Sequence, residues 1–161
     1  MRLLSAFTSC VCVLLLSSCA ATMTGGDSAS VAENKIPQRE IQSFTFISGS
    51  PPVSANARRD QSLKIDSDLN AKMVVKNGYN TVLSEKSGTV TQGQFDAVAK
   101  KLNASNYIYL KPVKAAAAVK GKQTFIVSSD LGAHRFVNGG GVSFPAPIAE
   151  IFAMKGQFLP Q

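Results

Sequence analysis

The segment "IQSFTFI", residues 41–47, sets Ile41, Ser43, Thr45 and Ile47 against Gln42, Phe44 and Phe46. That two-residue period predicts a β-strand, and its partly apolar two sides place it centrally in a sheet. Residues 48–61, "SGSPPVSANARRDQ", hold turn formers and a proline pair without periodicity, which predicts a loop of about a dozen residues, long for a compact domain. Alternation resumes in "SLKIDSD", with Leu63 and Ile65 opposite Lys64 and Asp66, a strand with one wet face. Asn77-Gly78 then lies between β-forming runs and predicts a hairpin with a type I′ turn, Met73, Val75, Tyr79, Thr81 and Leu83 sharing one side.

The period changes at Thr91. Thr91-Gln92-Gly93-Gln94 fits a capping box, and Phe95, Val98, Ala99 and Leu102 recur at the spacing of one helical face. An amphipathic helix is therefore expected over about 92–103, with Lys100 and Lys101 on its other side. "NYIYLKPV" and "KQTFIVSSD" read as strands, and "KAAAAVKGK" between them fits either a helical turn or a mobile loop. A Leu131-Gly132 turn predicts a hairpin joining 123–129 to 133–137. Pro147 opens a short C-terminal helix carrying Ile148, Ile151 and Phe152, and Gly156 stops it. The expected fold is α+β: an antiparallel sheet of hairpins with one amphipathic helix packed on one face and a short C-terminal helix.

Ahead of this pattern the chain reads differently. Arg2, the apolar run Leu3 to Leu16 and the small residues before Cys19 follow the order of an export signal, and the run is shorter than the ~20 residues of a membrane span. Residues 20–38 are small, polar and Gly/Ser-rich, a composition that forms a tether rather than a core. Leu16-Ser17-Ser18-Cys19 resembles the lipobox of bacterial lipoprotein precursors. That resemblance implies removal of residues 1–18, diacylglycerol and palmitate on Cys19, a tether over 19–38, and one domain over 39–161. Ala20 after the cysteine implies the outer membrane in a Gram-negative cell rather than the inner one. The competing interpretation is an ordinary secretory signal with a chance cysteine.

Lipidation changes the cysteine account. Cys10 and Cys12 leave with the signal and Cys19 carries lipid, so no thiol remains for a disulfide, a nucleophile or a zinc site. About 120 residues are then left to pack, enough for one core. The formal net charge is +7 and Arg2 is the only charged residue of the signal, so the excess belongs to the folded part. No acid falls between Asp96 and Asp130, whereas Lys100, Lys101, Lys111, Lys114, Lys120 and Lys122 do. These lysines form a candidate basic face for phosphate-rich headgroups, acidic envelope polymers or an acidic protein; the plainer reading is a solvated surface. Nucleic acid is not an expected partner, since no recognition motif is present.

Catalytic chemistry finds little support. His134 is the only histidine, and Asp130, Ser128 and Ser129 near it make no triad by spacing alone. Asp66-x-Asp68-x-Asn70 begins like a calcium loop but has Ala71 at the glycine position and Asn77 where the bidentate Glu belongs, so a turn explains it better. "GGG" at 139–141 lacks the setting of a phosphate loop. No cofactor or metal is expected.

From Phe44 to Phe152 the order of elements resembles a family of small bacterial domains that includes emfourin, an inhibitor of thermolysin-like metalloproteases, and many lipoproteins. The carrying segments are the first strand and long loop (44–61), "GTVTQGQFDAVAKKLNASNYIYL", "TFIVSSDLGAHRFVNGGG" and "PAPIAEIF". The resemblance implies a helix across an antiparallel sheet and a non-enzymatic, inhibitor-like protein whose loops engage an envelope or secreted protein. Pro51, Pro52, Arg58 and Arg59 are then the candidate partner-binding loop, although it offers few apolar anchors of its own. The alternative is a structural lipoprotein that binds anionic polymers or headgroups through its basic face.

Overall fold

The computed structural model describes residues 38–51, 53–115 and 121–160. Six strands form one antiparallel sheet: β1 (Ile41–Ser48), β2 (Asp60–Asp66), β3 (Asn70–Lys76), β4 (Val82–Thr89), β6 (Gln123–Ser129) and β7 (Gly132–Asn138), in the order β4-β3-β2-β1-β6-β7. Two short strands, β5 (Val113–Lys114) and β8 (Val142–Ser143), pair separately. Helix α1 (Gln92–Ala104) follows β4, and α2 (Ala146–Ala153) runs into a 3-10 turn at Met154–Phe158. The α+β architecture expected from the residue pattern is the one observed, with β1 central.

Both helices lie on one face. Phe44 of β1 stacks on Phe95 of α1 with centroids 5.2 Å apart, and Phe46 meets Phe125 of β6 at 5.0 Å and Phe158 at 5.9 Å. Around these rings Leu63, Ile65, Val127, Val98, Leu102, Ile148 and Ile151 are buried. The inner layer is thus one residue in two from each central strand, sealed by the apolar stripe of α1 and α2.

Ile41 belongs to that core although simple alternation sets it opposite Phe44. The register of β1 against β6 shifts between Ile41 and Ser43, and this bulge turns Ile41 onto the helix side, where it is buried. Helix α1 starts as expected: the Thr91 hydroxyl accepts from the Gln94 amide while the Gln94 side chain accepts from the Thr91 amide at 2.9 Å.

Two local expectations are corrected. "NYIYLKPV" is not a strand, because Asn106 turns left-handed (φ 49°) and Tyr107–Tyr109 forms a 3-10 turn. Burying Tyr107, whose hydroxyl bonds the Ser129 hydroxyl at 2.8 Å, outweighs the β preference of these residues and leaves only Val113–Lys114 extended. Asn77-Gly78 makes no two-residue turn either: residues 77–81 form a longer connection closed by the Asn77 amide on the Thr81 carbonyl at 3.0 Å. The Asn77 side chain accepts from the amides of Tyr79 and Thr81, and the positive φ falls on Asn80. Tyr79 and Leu83 consequently point into solvent instead of extending the Met73 side.

Candidate functional site

The long loop after β1 is held in place by its own polar groups. The Ser50 hydroxyl donates to the Arg59 carbonyl (2.5 Å) and accepts from the Arg59 amide (2.8 Å), which closes the loop across its neck. The Ser50 amide donates to the Asp60 carboxylate at 3.2 Å, and Arg58 pairs with the same carboxylate at 2.6 Å. That pairing raises the Arg58 guanidinium above its ordinary value, mainly through the hydrogen bond and then through charge attraction. Arg59 instead curls back and donates to the carbonyls of Asn56 and Arg58, so its charge serves the loop itself.

Two glycines let the loop approach its neighbours. The Gly78 amide donates to the Ala55 carbonyl at 2.8 Å, and a Cβ on Gly78 would stand 2.6 Å from the Ala55 Cα. This close approach, rather than turn geometry, is the physical reason for glycine at 78. Gly121, at φ +88°, passes so near Gly49 that a Cβ would collide with its carbonyl oxygen.

The result is a cleft of about 450 Å³ lined by Ser50, Pro51, Val53, Arg58 and Lys122, with the backbone of Gly139 and Gly140 at its far side. Beside it the 55–78 contact brings in the tip of the β3–β4 hairpin. Within a few residues of that contact are four well-exposed apolar side chains: Val53 (51 %), Tyr79 (67 %), Val82 (50 %) and Leu83 (45 %). The loop alone holds only Val53 among these. The missing apolar anchors come from a second element some twenty-five residues away, which sequence order conceals.

The other singled-out residues are dispersed. Lys100 and Lys101 sit on α1, Lys101 paired with Glu150 of α2, and Lys111 and Lys114 are exposed near β5. Lys122 lies at the opposite end of β1 from the end of α1: Asn103 bonds Arg39 before β1, whereas the Gly49 amide after β1 bonds the Lys122 carbonyl. About 25 Å of strand separates these ends, so the described lysines form no single face. Pro52, Lys120 and Cys19 lie outside the described residues.

His134 is half-buried on the inner face against the rings of Tyr107 and Phe136, at 6.0 and 5.0 Å. Ser129 is engaged by Tyr107, and Asp130 is exposed at the hairpin turn, so no nucleophile, base and acid converge there. Asp66 accepts from the Asn70 amide at 2.9 Å and forms the β2–β3 turn. Among the described residues no cluster of three or more metal-ligating side chains occurs.

Compared with protein-family models and with curated proteins, the chain matches none.

Lys155 is a residue that local patterns did not disclose. Half-buried in the turn after α2, it donates to the Ser48 hydroxyl (3.0 Å) and the Gln61 side chain (2.5 Å). Burial without a carboxylate pulls its pKa below the usual 10.5. Its partners lie 107 and 94 positions away, which no short-range pattern encodes.

Proposed function

We propose that this chain is a lipid-anchored envelope module that binds a protein partner without catalysis, using the sheet end formed by the 49–59 loop, the β3–β4 tip and Lys122. The observation that carries this reading is the Gly78–Ala55 contact, which joins the loop carrying exposed Val53 to the hairpin tip carrying exposed Tyr79 and Val82. Protein interfaces concentrate binding energy in such an aromatic with apolar neighbours and a charged rim. Arg58 and Lys122 supply the rim, and among the described residues Lys122 has no carboxylate within ion-pair distance. The complementary partner carries an apolar contact flanked by an acidic group.

The test is capture from envelope extract with the lipidated protein, comparing the native chain with Tyr79→Ala, Lys122→Glu and, as control, Lys100→Ala. The reading expects one protein retained by the native and control forms and reduced more than tenfold by Tyr79→Ala, the scale of a hot-spot truncation. Equal recovery by all forms, or no specific protein at all, counts against it.

A further inference from the structure

The outer face of the sheet carries a charge pattern that belongs to no single segment. Strand register sets Lys72, Lys64, Thr45, Ile126 and Arg135 side by side across β3, β2, β1, β6 and β7. The next row is Val74, Ser62, Ile47, Thr124 and Val137, and Lys76 follows beyond it on β3. All of these point away from the helices; Lys64, Lys72 and Arg135 are exposed, whereas Thr124 is buried and Val137 lines the loop cleft. Lys72 is neutralised by Glu85 at 2.7 Å, and Asp66 is engaged by Asn70. Lys64, Lys76 and Arg135 have no carboxylate within ion-pair distance among the described residues. Between them lie hydroxyls and small aliphatic groups, with no aromatic ring.

We infer that this face docks on an anionic bilayer surface, laying the sheet against the membrane. The inference rests on Cys19 being the lipid anchor proposed above. Protein hot spots favour aromatic anchors, and the outer face offers no aromatic ring, its Ile47, Val74, Ile126 and Val137 being partly buried, whereas the loop end has exposed Tyr79. Phosphate headgroups need only unpaired cations on a flat surface. Lys64 and Arg135 are three strands apart, about 14 Å, so they reach separate headgroups. Covalent length agrees: the stretch from Cys19 to Ile41 spans at most about 75 Å even fully extended, which keeps the face within reach of the bilayer holding the anchor.

The experiment uses the full lipidated protein in vesicles of phosphatidylcholine, and in vesicles with about 30 % phosphatidylglycerol, a strongly anionic surface. Amine-reactive labelling is read lysine by lysine by mass spectrometry. Docking predicts that Lys64 and Lys76 label several-fold more slowly on the anionic vesicles, recover at about 1 M salt, where screening acts within ~3 Å, and leave Lys100 and Lys111 unchanged. In an Arg135→Gln variant, whose site is exposed, the Lys64 protection factor should drop about fivefold, the effect of one cation near such a surface. Equal labelling of Lys64 on both vesicle types overturns the inference. So does protection on both types, which assigns the face to another part of the chain, or protection by soluble polyglutamate but not by anionic vesicles. A failed anchor shows itself separately, as protein that does not float with the neutral vesicles.

Discussion

The two faces of the six-stranded sheet share one backbone and differ in every energetic respect. On the inner face Phe44, Phe46 and Phe125 are fully buried in mutual contact beneath two helices. On the outer face their immediate neighbours Thr45, Ile47 and Ile126 remain partly open. Stability is thus concentrated in alternate residues of β1, β2 and β6, leaving the residues between them free to carry charge. Substitutions that cross this divide should therefore separate folding from binding.

The largest expected effect is on the inner face. Phe44→Ala removes a ring in contact with Phe46, Phe95, Phe125 and Phe158 and should cost about 3–5 kcal/mol in denaturant unfolding. A loss under about 1 kcal/mol would mean that the aromatic cluster does not hold the two layers together. Smaller and purely local, Thr91→Ala leaves the Gln94 amide without its cap and should cost about 1 kcal/mol.

Lys155 sharpens the comparison because its charge sits on the inner side. Its folded pKa is depressed, so just below the ordinary 10.5 the unfolded chain binds more protons and stability from this group rises with pH. Below the folded pKa the cost of burying the charge is fully present. Lys155→Met should remove that rising slope just below pH 10.5 while leaving the slope at neutral pH unaltered. An unchanged alkaline slope in Lys155→Met would contradict the burial argument. At the small end, Lys64→Glu on the outer face should leave unfolding within about 0.5 kcal/mol of the native chain, since it breaks no pair and opens no cavity.

What local sequence encodes here is local structure. The capping box at Thr91 and Gln94, the stripe from Phe95 to Leu102 and the hairpin of 123–129 with the strand after it need only neighbouring residues, and each is present, the turn falling on Asp130-Leu131 rather than Leu131-Gly132. Ile41 escaped because a bulge reverses its side, and Tyr107 because a distant hydroxyl rewards its burial. The candidate site was half legible. Arg58 and Lys122 stand out in the sequence, but their shared cleft and its link to Tyr79 depend on Gly121 and Gly78 passing within a few ångströms of other backbones. The cations of the outer face escaped for the same reason, being single residues on separate strands brought into line by register.

The proposal that partner binding is concentrated at the loop end is tested most directly by site-specific photocrosslinking in envelope preparations. A photoreactive amino acid is placed singly at Tyr79, Val53, Lys100 or Ile126 of the lipidated protein. The account predicts one discrete protein adduct from positions 79 and 53, lost on adding Lys122→Glu, and none from 100 or 126. The same adduct from all four positions, or protein adducts from 100 and 126 alone, would contradict it.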